Sequence, residues 1–203
     1  MGIQEFNRFF KKQSLASTYK PIFLKCLLDL GDYDENEGGQ WVKKQNDEYI
    51  VDLNFVVVRF IRFYHTLYFK FKLKQLPNPK KIPDIHKILE EFKDELGVKK
   101  RPTKKQLCED KFRKIREKTV AMSGIKREVL PLLLKDCDIY VHSEDRKSII
   151  MKNDIVDYMK KNKAVLESGA NYMLARYLEG INSSPNIANQ ITSKIKESFL
   201  SRP

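Results

Sequence analysis

The chain reads as a mainly α protein, a multi-helix domain carrying one small β-hairpin. Three observations predict this. Apolar residues recur at three- and four-residue spacings along most of the 203 residues. Capping residues precede those runs, and glycine or proline follows them. One stretch, 138–151, instead holds two short β-branched runs joined by polar residues. A hydrophobic content of 41% is enough for a core, and 8 Gly with 8 Pro exclude a fibrous or low-complexity chain.

Residues 3–12 form a short helix with Phe6, Phe9 and Phe10 on one side. Thr18-Tyr19-Lys20-Pro21 opens a second helix, Ile22 to Leu30, because the first turn does not need the N–H that proline lacks. Gly31 stops it, and residues 32–39 are an acidic, glycine-containing loop. Tyr49-Ile50-Val51 is a short extended piece. Asp52 or Asn54 then caps a long helix running to about Lys72. That helix is apolar nearly all round, which marks the centre of a core.

Gln75 to Pro83 is a rigid connector with Pro77, Pro79 and Pro83. Asp84 to Leu96 is an amphipathic helix with Ile85, Ile88, Leu89 and Phe92 inward, ended by Gly97. Thr103-x-x-Gln106 is a capping box that starts another helix. Its inward stripe is Cys108, Phe112, Ile115, Thr119 and Met122. Gly124 interrupts, and Pro131 starts or kinks the apolar run 130–134. Strands over 138–142 and 148–151 flank the turn Ser143 to Lys147. Helices follow over 154–161 and 164–181, the second with Leu166, Ala170, Met173, Tyr177 and Ile181 on one face. Ser184-Pro185 starts a last helix with Ile187, Ile191, Ile195 and Phe199 in line. There is no internal repeat. The whole chain, 1–203, reads as one domain, and the connector at 76–83 is the one place for a subdivision into 1–75 and 84–203.

Charge is unevenly spread. Lys70 to Arg127 holds 19 Lys and Arg against 8 Asp and Glu, a net of +11 out of +12 for the chain. Such a segment suits a polyanion, because neutralised phosphates release condensed counterions. Lys99, Lys100 and Arg101 precede a helix N-terminus, and Lys104 and Lys105 lie in its first turn. Cations there oppose the helix dipole, and a bound phosphate would reverse the penalty. Lys111, Lys114 and Lys118 share a face flanked by Arg113 and Arg116, and Lys126 and Arg127 follow. The succession 104–151 fits a winged-helix-like unit, with Arg146 and Lys147 at the hairpin tip touching phosphate. The plain alternatives are a solvated helix face and an ordinary packed hairpin. Nucleic acid, with double-stranded DNA foremost, is the expected partner. About five phosphate contacts give a log affinity–log salt slope near −4 to −5.

Catalytic patterns are missing. His65, His86 and His142 are isolated from one another; His65 reads as structural, His86 and His142 as surface residues. Pro83-Asp84 and Glu91-Phe92-Lys93 match the letters of a metal-nuclease motif, but both fall on one helix. No glycine-rich phosphate loop occurs, and no cofactor or metal site is expected. Cys26, Cys108 and Cys137 are far apart and odd in number, which points to reduced thiols in a cytoplasm. Cys108 reads as a packed thiol. No secretion signal is visible. The most apolar stretch, 55–71, contains Arg59, Arg62, His65 and Lys70, so no membrane partner is expected. The ridge Ile187/Ile191/Ile195/Phe199 supports a second reading, a scaffold subunit that docks on a partner or on itself. A nuclease with an unrecognised site is the third.

Several stretches resemble the helical N-terminal part of prokaryotic HNH endonuclease proteins. They are Ser17 to Leu30, Arg59 to Phe71, Asp138-Ile-Tyr-Val, Ser148-Ile-Ile-Met, and Tyr172 to Asn182 leading into Ser184-Pro185. In that family the catalytic module follows this region, with Cys-x-x-Cys pairs around zinc and histidines for the catalytic metal. None of those motifs is present, so the resemblance implies no catalytic residue. It implies a DNA-related role in the non-catalytic part; the expected setting is restriction or phage defence, and the protein partners to expect are a separate nuclease subunit or a second copy through the C-terminal helix.

Overall fold

A computed structural model describes residues 2–11, 17–32, 41–78, 80–122, 125, 138–183 and 187. Helix α1 is Gly2–Lys11, and α2 is Tyr19–Leu28, prolonged by a 3-10 turn, Asp29–Asp32. Strands β1 (Val42–Gln45) and β2 (Glu48–Asp52) lead into α3 (Leu53–His65), which ends in a π-helical turn, Thr66–Lys70. Then come α4 (Asp84–Glu91), α5 (Lys93–Leu96), α6 (Lys104–Cys108), a 3-10 turn (Asp110–Phe112) and α7 (Arg113–Ala121). Strands β3 (Val141–His142) and β4 (Ser148–Lys152) precede α8 (Asn153–Asn182). The fold is mainly helical with a small antiparallel sheet.

Helices α2 and α3 form the centre. Nine of the ten α2 residues are buried, and α3 is buried nearly all round, as its apolar sequence requires. Asp52 starts α3: its Oδ1 accepts from the Asn54 N–H at 2.7 Å. Tyr19, Phe60 and Tyr64 pack their rings 4.6–5.7 Å apart. Thr18 does not cap α2 with its side chain. Its hydroxyl lies 2.6 Å from the Tyr64 hydroxyl and donates to Gln75 Oε1 at 3.1 Å. Helix α8 packs along α2 and receives α1, while α3 carries α4, α6 and α7.

The sheet is larger than one hairpin. Its strand order is β1-β2-β4-β3, all antiparallel. Val42, Val51 and Ile149 form one cross-strand row on the core face. Strand β1 escapes the sequence because three of its four residues are exposed, so alternation is lost. Its one local signal is the tight Asn46-Asp47 turn, where Asn46 takes φ 54°.

Sheet topology corrects the winged-helix expectation. Strand β4 is an inner strand between β2 and β3, and α7 packs on α3 and α4. The hairpin is thus part of the central sheet and not a wing on the basic helix. The connector 76–83 joins two stretches that share this sheet and the α2–α8 packing.

Two expected helices are broken in the structure. Residues 84–96 break at Phe92 (φ −107°, ψ 20°) into α4 and α5. The expected single helix 104–122 breaks at Glu109 (φ −60°, ψ 151°). The break shifts the buried stripe, so Leu107 is buried and Cys108 only half-buried. The expected pair 154–161 and 164–181 is present as the two arms of α8, which meet at a kink at Asn162 (φ −112°, ψ 15°), whose side chain donates to Tyr158 O at 2.9 Å. Residues 124, 130–134 and most of the last expected helix lie outside the described residues; Ile187 is buried.

Candidate nucleic-acid interface

The basic run 99–105 is displayed by a loop fixed at both ends. Gly97 turns the chain at φ 71°, which favours glycine. His65 Nε2 donates to Gly97 O at 2.6 Å, and Arg62 Nε donates to Pro102 O at 3.0 Å. Burial pushes the His65 pKa down against the pull of that carbonyl, and the Arg101 charge pushes it further. A neutral imidazole with its proton on Nε2 satisfies the bond. At the far end the capping box is complete: Gln106 N–H donates to Thr103 Oγ1 at 3.1 Å, and Thr103 N–H to Gln106 Oε1 at 2.9 Å.

Within this span the cations divide. Lys99, Lys100 and Lys105 are exposed and make no ion pair among the described residues. Lys104 Nζ lies 4.0 Å from Asp29 Oδ2. Arg101 is half-buried within electrostatic reach of Asp29, and burial lowers its pKa.

Beyond α6 the sorting is sharper. Lys111 pairs with Glu109 at 3.0 Å and covers the Phe112 ring. Arg113 sits between Asp110 (3.8 Å) and Glu117 (3.9 Å). Lys118 pairs with Glu91 and lies over Phe92. Lys114 is exposed without an ion pair among the described residues. Arg116 is a correction: it is 7% exposed and donates to Leu107 O (2.5 Å) and Glu109 O (2.9 Å). Its guanidinium lies 5.6 Å from the Trp41 ring centroid. It satisfies carbonyls at the Glu109 break, so it is structural. Lys126 and Arg127 lie outside the described residues.

Arg146 and Lys147 are exposed at the β3–β4 turn, where Arg146 takes φ 54°. Leu53 N–H donates to Lys147 O, which places that turn at the start of α3, whereas Gly97 is held at its end. Twelve helical steps separate Leu53 from His65, about 18 Å. The turn therefore lies about that far along α3 from the Gly97 anchor of the 99–105 run.

A charged network that sequence reasoning missed lies beneath α6. Arg59 Nε donates to Asp29 Oδ2 at 2.9 Å, its NH1 donates to Phe55 O, and it stacks 3.5 Å from the Phe55 ring centroid. Lys163 lies 2.5 Å from Asp32, 3.7 Å from Asp29 and 3.9 Å from Glu167. Lys25 is buried, bonds Asn171 and faces the Phe63 ring at 5.0 Å. Burial lowers its pKa to about 8, while burial raises that of Glu167. A signal existed: Lys25 and Arg59 interrupt helices that are otherwise apolar on that side.

The remaining chemistry is structural. His86 is not a surface residue; it is 6% exposed, stacked 4.2 Å from Tyr68, with its pKa lowered to about 4 by burial. His142 is half-buried, and burial ahead of Arg146 lowers its pKa. Asp84 and Glu91 sit seven residues apart on α4, about 10 Å of helix rise. Each is near a lysine, Asp84 at 3.1 Å from Lys87 and Glu91 against Lys118, so the pair does not share a cation. Among the described residues no group of His, Cys, Asp and Glu could hold a metal ion. Burial raises the thiol pKa of both Cys26 and Cys108, which makes them poor nucleophiles. No helix among the described residues is long and apolar enough to cross a membrane. Comparison with protein-family models, with curated proteins and with solved structures finds no match to this chain.

Proposed function

We propose that the chain is a nucleic-acid-binding module for double-stranded DNA, the non-catalytic part of an HNH-type restriction or phage-defence endonuclease. The observation that carries this reading is the span 99–105. It holds five cations and no carboxylate, anchored to α3 at Gly97 and Pro102, with Lys99, Lys100 and Lys105 outward. Exposed lysines on a fixed backbone suit phosphate positioning rather than base reading. The HNH attribution rests on the resemblance of Ser17–Leu30 and Arg59–Phe71, which supply most of the central helices α2 and α3. A separate nuclease subunit would supply the chemistry, and a reducing cytoplasm fits two unpaired thiols.

The test is duplex binding by fluorescence anisotropy across a salt series. Lys99, Lys100, Lys105 and Lys114 give about four contacts, hence a log–log slope near −3 to −4. An isotherm indifferent to salt would remove the reading. One observation favours a scaffold subunit as the second reading: Val165 (73% exposed) and Tyr172 (61%) stand on the outer face of α8. Sedimentation mass that rises with concentration, without DNA affinity, would favour it.

A further inference from the structure

We propose that the segment leaving α3, residues 70–82, is a second surface for the phosphate backbone of a nucleic acid, carried by Lys72, Lys74, Lys80 and Lys81. It rests on the nucleic-acid reading above but on residues outside the 99–105 run. No Asp or Glu occurs between Asp52 and Asp84. Lys70, Lys72, Lys74, Lys80 and Lys81 are all exposed, and none makes an ion pair among the described residues. The next lysines along the chain differ: Lys87 and Lys93 sit beside Asp84 and Glu90. The segment leaves the same end of α3 at which the first run is held. His65 donates to Gly97 O, and its ring lies 5.0 Å from that of Phe69, next to Lys70.

The fold holds this segment by its backbone and leaves the ammonium groups outward. Phe71 and Leu73 pack against the core and Gln75 is 2% exposed, so exposure alternates and Lys70, Lys72 and Lys74 share the solvent side. Phe71 N–H donates to Thr66 O at 3.1 Å and Leu73 N–H to Leu67 O at 3.2 Å. Asn182, at the end of α8, accepts from Lys74 N–H at 2.9 Å and donates to Lys74 O at 3.0 Å. Asn78 fixes the next pair: Lys80 N–H donates to its Oδ1 at 2.9 Å and Lys81 N–H to its carbonyl at 3.1 Å. Helix stability explains Lys70, which ends the π-helical turn at the negative end of α3 and lies over the Phe71 ring. It does not explain Lys72, which takes φ 52°, where glycine would sit without strain. Four like charges within residues 72–81 repel one another, and a polyanion turns that repulsion into attraction with counterion release. Lysines on a fixed backbone suit phosphate rather than base edges. Ile82, 60% exposed, is the one large apolar side chain exposed among the described residues of the segment, too little apolar area to seat a bilayer.

Fluorescence anisotropy of the full chain on a duplex across a salt series tests it. Four further contacts take the wild-type log–log slope beyond the range given above, to about −7. Lys72→Gly/Lys74→Ala/Lys80→Ala/Lys81→Ala should flatten that slope by about 3.6, at 0.9 per contact, and weaken binding about tenfold or more, equally on unrelated duplex sequences. Lys72→Gly alone should flatten it by about 0.9 with the urea midpoint unchanged or raised, which separates charge from fold. Circular dichroism verifies that each variant is folded; should the fourfold variant unfold, Lys72→Gly decides. A folded variant with the wild-type slope overturns the surface. So does binding to phosphatidylserine vesicles that the four substitutions abolish while duplex affinity stays. The Lys99→Ala/Lys100→Ala/Lys105→Ala variant keeps the two proposals apart. Duplex affinity lost with that set alone overturns this surface and keeps the earlier one, and affinity lost with the fourfold set alone does the reverse.

Discussion

Acidification singles out the packing of His86. Its ring is 6% exposed, stacks on Tyr68 at 4.2 Å, and leaves Nε2 without a partner among the described residues. Burial lowers its pKa from 6.5 to about 4, opposed by Glu90. Between those values the unfolded chain binds a proton that the folded chain does not. Stability is therefore full above pH 6.5 and falls as the pH drops toward 4. At 1.36 kcal/mol per unit the drop is worth about 3 kcal/mol. His65 and His142, also lowered, add to the same acid limb, and Glu167, raised, opposes it. A His86→Phe variant keeps a ring against Tyr68 and removes the titration. Urea unfolding of both proteins at pH 7, 6, 5 and 4 isolates the term. Wild type should lose about 3 kcal/mol more than the variant over that range. Parallel pH curves would refute the reasoning.

Two glycines of α8 should respond in opposite directions. A Cβ at Gly169 would meet the Phe10 ring at 2.8 Å, so Gly169→Ala should lower stability by about 1–3 kcal/mol. Gly180 has nothing within 4 Å, so Gly180→Ala should raise it by up to ~1 kcal/mol; urea midpoints read both. Arg116→Met strips the donors from Leu107 O and Glu109 O and should cost about 2–3 kcal/mol. It should also shift the fluorescence of Trp41, the single tryptophan, and a stability change under about 0.5 kcal/mol would count against the structural role. Thr103→Ala removes one half of the capping box and should cost about 1 kcal/mol in the same assay.

Local signals carried much of the fold. The Asp52 and Thr103 caps and the Gly97 stop depend on neighbours a few residues away and stand as read, while the first strand of the 138–151 hairpin shortens to Val141–His142. The β1 strand did not announce itself, since an exposed edge strand has no alternation to show. The break at Glu109 was also hidden, because the carbonyls it frees are satisfied by the Arg116 guanidinium reaching back seven and nine residues.

Charge was legible as a total and not as a surface. The pairs Asp110–Arg113 and Arg113–Glu117 follow from helical spacing. Lys118–Glu91 and Lys104–Asp29 join residues 27 and 75 positions apart, which no spacing rule can supply. Of the candidate phosphate contacts, those in the 99–105 span keep a common scaffold. Arg116 turns inward, and the hairpin turn lies at the other end of α3.

The most direct measurement compares two triple variants in duplex binding over a salt series. Lys99→Ala/Lys100→Ala/Lys105→Ala removes outward charges. Lys111→Ala/Arg113→Ala/Lys118→Ala removes the same number of charges that already face carboxylates. The first set should flatten the log–log slope by about 2.7, at 0.9 per contact, and the second by less than about 1. Equal flattening by both sets would contradict the claim that the anchored 99–105 run is the surface that meets the phosphate backbone.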